Sequence, residues 1–197
     1  MGFGPSDSGK SATQAPIPVK IVIAGGFGVG KTTFVKAISE ITPLTTEAAL
    51  TSASVGIDDT SAVSVKTTTT VAMDFGRITL GGNVMLYLFG TPGQNRFWFM
   101  WDELTVGAIG AVVLVDTRRL AECFPAIDYF EERDVPFLIA VNRFEGSHNY
   151  SVEDLRDALD LDDRRPIVVC DARTRASAKK VLIALVHHAL DVVTSGV

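Results

Sequence analysis

Cysteine is nearly missing from this 197-residue chain: it has two, Cys123 and Cys170. Two isolated thiols cannot build a disulfide framework or a metal knuckle, which fits a reducing cytoplasm. Long apolar runs are missing too. Nothing approaches the roughly 18–20 residues of a membrane span, and the first residues have no apolar signal core. A basic excess is likewise absent. Eighteen Lys and Arg against 23 Asp and Glu leave a formal net charge of −5, and the basic residues are scattered rather than striped. That argues against nucleic acid or an anionic membrane as partner. What the chain does have is apolar substance, 47% of its residues, enough for one domain with a sizeable core.

The densest chemical signal is Gly25-Gly26-Phe27-Gly28-Val29-Gly30-Lys31-Thr32, a complete G-x-x-x-x-G-K-[ST] loop. It follows directly on the apolar run Val19–Ala24, and a short helix over Thr33–Ile41 is expected after it. Strand, glycine-rich turn and helix form the context in which backbone N–H groups from Gly25 to Thr33 cradle phosphate oxygens. Lys31 then reaches the β- and γ-phosphates, and Thr32 offers its hydroxyl to Mg²⁺. A second formal match, Gly4–Ser11, has no strand before it, no periodicity after it and a proline inside, and reads as coincidence. Met1-Gly2 with Ser6 formally fits a myristoylation pattern.

Residues 1–18 are rich in Gly, Ser and Pro and read as a flexible tail, with one domain over 19–197. Residues 42–66 carry few large apolar side chains and read as a long functional loop. Thr70–Leu80 and Val84–Phe89 are strand-like runs joined by Gly81-Gly82-Asn83, a hairpin. Further strands are expected at Ala111–Val115, Pro136–Val141 and Pro166–Cys170, with helices at Ala121–Arg133, Val152–Leu159 and Ala176–Val193. Six strands, a hairpin and about five helices imply a doubly wound, mostly parallel sheet with one antiparallel edge strand. Ligands sit at the carboxyl ends of such strands.

Immediately after one such strand comes Phe89-Gly90-Thr91-Pro92-Gly93-Gln94. Gly93 offers an N–H to a γ-phosphate and Gln94 can orient water, the arrangement of a nucleotide-hydrolysing switch. With the phosphate loop and the Thr67–Thr70 run, the order and spacing resemble Ras-like small GTPases over about residues 19–193. Met73-Asp74-Phe75-Gly76 and the Phe89–Gln94 segment most resemble the bacterial branch. Within it the chain is most similar to the GTPase-like component of actinomycete conservon operons, related to Mgl-type polarity GTPases. The resemblance implies the three-layer α/β fold of P-loop NTPases, GTP or GDP with Mg²⁺ as ligands, and slow GTP hydrolysis. It also implies a Roadblock-type partner, a sensor histidine kinase nearby, and a cytoplasmic setting, peripheral to the membrane through partners.

The resemblance also assigns residues. Lys31 and Gln94 are the catalytic pair. Thr32 and Thr70 are metal ligands, with Thr69 the alternative to Thr70. Where relatives carry an acid that holds Mg²⁺ through water, this chain has Gly90, and Asp74 on the adjoining strand resembles its substitute. Asn142-Arg143-Phe144-Glu145 stands where N-K-x-D reads the base, and Cys170-Asp171-Ala172-Arg173 resembles the loop whose backbone meets the guanine oxygen at Ala172. Base contacts therefore fall to Asn142, Arg143, Glu145, Cys170 and Ala172. Guanine is favoured, with discrimination weakened because Glu145 is longer by one methylene. No arginine interrupts the threonine run, so a charge-stabilising finger would come from Arg96, Arg77 or a partner. Asp116 reads as a helix cap. Phe97, Trp98, Phe99 and Trp101 sit on the switch helix, which cannot bury every residue of the Phe97–Trp101 run on one sheet face. They are expected to leave an exposed partner patch. Two other readings compete: a degenerate GTPase-like scaffold, favoured by Gly90 and Glu145, and an adenine-specific P-loop kinase or ATPase. The second would need an arginine-rich lid or a Walker-B acid.

Overall fold

The computed structural model describes residues 15–51, 68–93 and 99–195. Its strands are β1 (Ile17–Ala24), β2 (Leu44–Thr51), β3 (Thr68–Leu80), β4 (Val84–Gly90), β5 (Ala108–Val115), β6 (Phe137–Asn142) and β7 (Ile167–Cys170). The helices are α1 (Lys31–Ile38), α2 (Phe99–Thr105), α3 (Phe124–Glu131), α4 (Val152–Ala158) and α5 (Arg175–Ser195). The sheet order is β2-β3-β4-β1-β5-β6-β7. Strands β4, β1, β5, β6 and β7 pair in parallel, and β3 runs against both its neighbours. This is the expected mostly parallel α/β architecture with one antiparallel strand.

The six expected strands are all present, and a seventh, β2, lies outside β3 at the edge. Leu44-Thr45-Thr46-Glu47-Ala48-Ala49-Leu50-Thr51 lacks the large apolar alternation that marks a half-buried strand. An edge strand needs ladder bonds on one side only, so backbone pairing with β3 suffices. The rest of the supposed 42–66 loop, from residue 52, lies outside the described residues, as does most of the 1–18 tail. Ile17 and Pro18 already belong to β1.

Alternation along β1 divides the core. Ile21 and Ile23 face one layer with Phe34 and Val35 of α1 and Val181 and Leu185 of α5. Val22 and Ala24 face the other, with Trp101 of α2 and Ala126, Ile127 and Phe130 of α3. Helix α1 buries Lys31, Phe34, Val35 and Ile38, one face at helical spacing. The expected single helix at Ala121–Arg133 is two pieces, a 3₁₀ segment over Thr117–Cys123 and then α3. Pro125 in the first turn of α3 has no N–H to continue the ladder, and Arg119 breaks the segment with φ −141° and ψ 51°. Among the described residues, no helix is long and apolar enough to cross a membrane.

The antiparallel β3 is what sets the site. Its register opposes Asp74 to Gly90 at the carboxyl end of β4, while the Thr91 N–H donates to the carbonyl of Ile23 at 2.9 Å. The 90s segment is thereby tied to the end of the strand that feeds the phosphate loop.

Candidate functional site

The loop between β1 and α1 folds because three glycines adopt backbone angles that residues with a side chain rarely take. Gly25 (φ 133°), Gly28 (φ 72°) and Gly30 (φ 105°) all lie at positive φ. A Cβ on Gly25 would also overlap the carbonyl oxygen of Leu114. Gly30 caps α1, whose first residue is Lys31. The Lys31 ammonium is buried and donates to the carbonyls of Gly25 and Gly26, each at 2.8 Å. Burial lowers its pKa to about 8, against the opposing pull of Asp74 and then Glu122. Gly93 approaches so closely that a Cβ there would stand 2.7 Å from Lys31 Nζ and 2.9 Å from Phe27 Cα. Phe27 and Gly28 form the exposed tip, Val29 turns into the core, and Thr33 is exposed on α1.

Beside the lysine, the Thr32 hydroxyl donates to Asp74 Oδ2 at 2.5 Å, and Asp74 is buried. Gly90 has no side chain of its own, and its cross-strand partner Asp74 is the carboxylate beside it. The two positions crowd each other: a Cβ on Gly90 would stand 3.1 Å from Asp74 Cβ and 3.3 Å from Oδ2, so Asp74 would have to give by a few tenths of an ångström. Two hard oxygen donors side by side suit a Mg²⁺ that keeps waters and takes its remaining ligands from a bound phosphate. Among the described residues no cluster of three or more His, Cys, Asp and Glu could hold a metal. Thr70 is not brought to this pair. It is held in the ladder opposite Ala49, four residues from Asp74, roughly 13 Å along an extended strand. Gln94 lies outside the described residues.

Asn142 at the end of β6 is 4% exposed. Its amide donates to the carbonyl of Val29 at 3.0 Å, and its Oδ1 accepts the N–H of Ala172 at 2.9 Å. It therefore braces the phosphate loop against the 170–173 loop. The Ala172 N–H expected to meet a guanine oxygen is committed to Asn142. The Cys170 thiol is buried, its pKa pushed up to about 12, and its carbonyl accepts the N–H of Arg143 at 2.8 Å. Arg143 and Glu145 are exposed at the same rim. Arg173 forks onto Asp171 at 2.8 and 2.8 Å. Its pKa is raised by that bond first, with Glu145 adding a smaller pull.

Asp116 caps the 3₁₀ segment, accepting the Arg118 N–H at 3.0 Å. It also holds the Arg118 guanidinium at 2.9 and 2.8 Å. These bonds, led by that from the guanidinium, lower its pKa. Arg118 in turn covers the Phe144 ring at 4.3 Å, joining this segment to the 142–145 loop. Two further side chains that the sequence gives no reason to select reach the phosphate loop. Arg119 Nη2 donates to the carbonyl of Phe27 at 3.0 Å, and Glu122 comes so close that a Cβ on Gly26 would stand 2.6 Å from its Oε2.

The supposed partner patch divides. Trp101 is core, packed on Tyr129 and Phe130 with ring centroids 5.1 and 5.8 Å apart, while Phe99 is 60% exposed. Residues two apart on a helix point about 200° apart, so the two cannot share a face. Phe97 and Trp98 lie outside the described residues. Of the internal finger candidates, Arg96 also lies outside them. Arg77 sits at the far end of α1, its N–H donating to Ser39 Oγ at 3.2 Å and its carbonyl accepting from Glu40 at 2.8 Å. A cavity of about 870 Å³ is lined by Phe130, Pro136, Arg165, His188 and Val192. It opens at the amino ends of the strands and shares no residue with the phosphate loop.

Residues 23–192 match the model of a family described as conserved hypothetical ATP binding protein. The chain belongs to this family. It is also 31% identical over 127 residues to an uncharacterized protein of Methanocaldococcus jannaschii, covering 64% of this chain and 70% of that one. Among solved structures, it is similar to the G domain of the T. maritima FeoB iron transporter, with a TM-score of 0.60 and 17% identity. That likeness spans 87% of this chain and 99% of the other. The FeoB G domain from Methanococcus jannaschii gives a TM-score of 0.58 and 15% identity over 89% and 99%. At such identities the likeness is one of fold, and the P-loop architecture of G domains is the fold this chain has.

Proposed function

We propose that the chain is a small nucleotide switch that binds GTP and GDP with Mg²⁺ and hydrolyses GTP slowly. The observation that carries this reading is the convergence of Lys31, Thr32 and Asp74 at the mouth of a positive-φ glycine loop. Lys31 supplies charge to the β- and γ-phosphates, and Gly93 brings its backbone to the same place. Mg²⁺, held by Thr32 and Asp74, would neutralise charge on the phosphate oxygens. Gln94, two residues past Pro92, orients the attacking water, and Thr70 would join the metal only if the switch region rearranged. Asn142 keeps the phosphate and base loops in one frame, and Glu145 with Arg143 favours guanine over the adenine named in the family's description. By resemblance to the conservon and Mgl-type GTPases, the partner is a Roadblock-type protein in histidine-kinase-linked signalling, meeting the switch helix around Phe97, Trp98 and Phe99. A second reading, a weakly binding scaffold that does not turn nucleotide over, is favoured by Gly90 and by the prior commitment of the Ala172 N–H.

Single-turnover hydrolysis separates the two. The expected result is slow phosphate release that requires Mg²⁺ and falls at least about tenfold in Asp74→Asn, which keeps the shape but loses the charge that binds a cation. Release indifferent to Mg²⁺ and to Asp74 contradicts the metal assignment, and no release at all favours the scaffold.

A further inference from the structure

Lys31 places a positive charge on one side of the phosphate loop, and a bound triphosphate would call for another across the loop tip. The 3₁₀ segment after β5 supplies one. Arg119 Nη2 lies 3.0 Å from the carbonyl of Phe27 and 3.6 Å from the point where a Cβ on Gly28 would stand. It is therefore within a residue's width of the loop N–H groups that face a phosphate. Its aim is set by the backbone break at Arg119 and by two acids, Glu122 Oε1 at 3.1 Å and Asp116 Oδ2 at 3.6 Å. The arginine side chain is 40% exposed and that of Glu122 43%, so the guanidinium has room to swing. Asp116 is already forked to Arg118, which leaves Glu122 as the main tether.

We propose that Arg119 is the chain's own phosphate-contacting arginine, parked on Phe27 and Glu122 and swinging onto the γ-phosphate when a nucleoside triphosphate binds. The inference rests on the nucleotide-switch reading above and names the source of charge that it leaves open. In the transfer, a water oxygen bonds to the γ-phosphorus and the bond from that phosphorus to the β–γ bridging oxygen breaks. Its electron pair stays on the nucleoside diphosphate, and both of the water's protons leave with the phosphate as H₂PO₄⁻, which loses one to solvent above its own pKa. Arg119 only donates hydrogen bonds to the charge that builds up, and it neither gains nor loses a proton. Planar, fixed-charge guanidinium suits this work better than ammonium. Glu122 acts as a brake, competing for the same guanidinium.

The test uses the full chain and its Arg119→Ala, Arg119→Lys and Glu122→Gln variants, with three readouts: GDP affinity, single-turnover GTP hydrolysis, and capture of GDP with aluminium fluoride. Arg119→Ala should slow hydrolysis about 10²–10³-fold, at or just below the lower end of what such arginines contribute. It should lose aluminium fluoride capture while binding GDP within about threefold of wild type. Arg119→Lys should recover part of the rate, and Glu122→Gln should raise it. Unchanged hydrolysis in Arg119→Ala, a loss matched by an equal loss of GDP affinity, or no hydrolysis by wild type overturns the proposal. Failure of wild type to bind any guanine nucleotide would instead remove the switch reading on which it stands.

Discussion

Lys31→Met is expected to weaken GTP binding by about 10²–10⁴-fold while leaving the melting temperature within about 3 °C of wild type or above it. The binding loss follows from two or so charge-assisted hydrogen bonds to phosphate, each contributing about 1.5–3 kcal/mol. The stability side follows from the sign of the pKa shift. Burial holds Lys31 near 8 in the folded protein, below its ordinary 10.5. A lysine with a lowered folded pKa costs stability wherever it must stay charged. That cost is fully present below about pH 8 and fades as the pH rises toward 10.5. Removing the ammonium relieves that cost at neutral pH, and its two bonds to the Gly25 and Gly26 carbonyls are lost in exchange. The residue is retained at the expense of the fold, as expected of a functional group. A bound triphosphate restores the charge, so binding takes up a proton, and affinity should fall by up to about tenfold per pH unit above pH 8. Titration calorimetry at pH 7 and 9 checks this, and the slope should vanish in Lys31→Met. A variant that binds as well as wild type would remove Lys31 from the site.

Asn142→Ala is expected to lower stability by about 2–4 kcal/mol, or about 5–15 °C in melting temperature for a domain of this size. The residue is buried and makes two hydrogen bonds, to the Val29 carbonyl and from the Ala172 N–H. Each of the two partners left unsatisfied costs about 1–2 kcal/mol, in the lower part of the range for an orphaned buried group. A Cβ on Gly30 would stand 2.7 Å from the Asn142 amide nitrogen, so the pocket is tight and water has little space to substitute. Asn142→Asp should fare no better, because its carboxylate would face the Val29 carbonyl where a donor is needed. Thermal unfolding measures the first effect, and nucleotide affinity should fall with it, since the brace holds the phosphate and base loops together. A melting temperature unchanged by Asn142→Ala would contradict the brace.

How much of this was legible depended on whether the relevant residues were contiguous. Gly25–Thr32 could be read directly, because the chemistry of a phosphate loop is carried by backbone turns that glycine announces. The β3–β4 hairpin was announced by Gly81-Gly82-Asn83, with Gly82 and Asn83 at positive φ. Asp74 needed a resemblance to be noticed, and the register that sets it opposite Gly90 is the physical reason it lies beside Thr32. Arg119 and Glu122 had no such signal. The contact of Arg119 with Phe27 joins residues 92 apart in sequence, through a backbone kink no local pattern predicts. Trp101 was misplaced because five adjacent large apolar residues hide which face a helix will bury. Strand β2 was missed because an edge strand made of Thr, Ala and Leu shows no apolar alternation.

The central claim is that this phosphate loop holds a guanine nucleotide, and competition titration of one fluorescent guanine nucleotide with unlabelled GDP, GTP, ADP and ATP tests it most directly. The account predicts displacement by GDP and GTP at least about tenfold more effective than by ADP and ATP, with the preference reduced in Glu145→Ala, which removes the carboxylate proposed to read the base. Equal or stronger displacement by the adenine forms would contradict it.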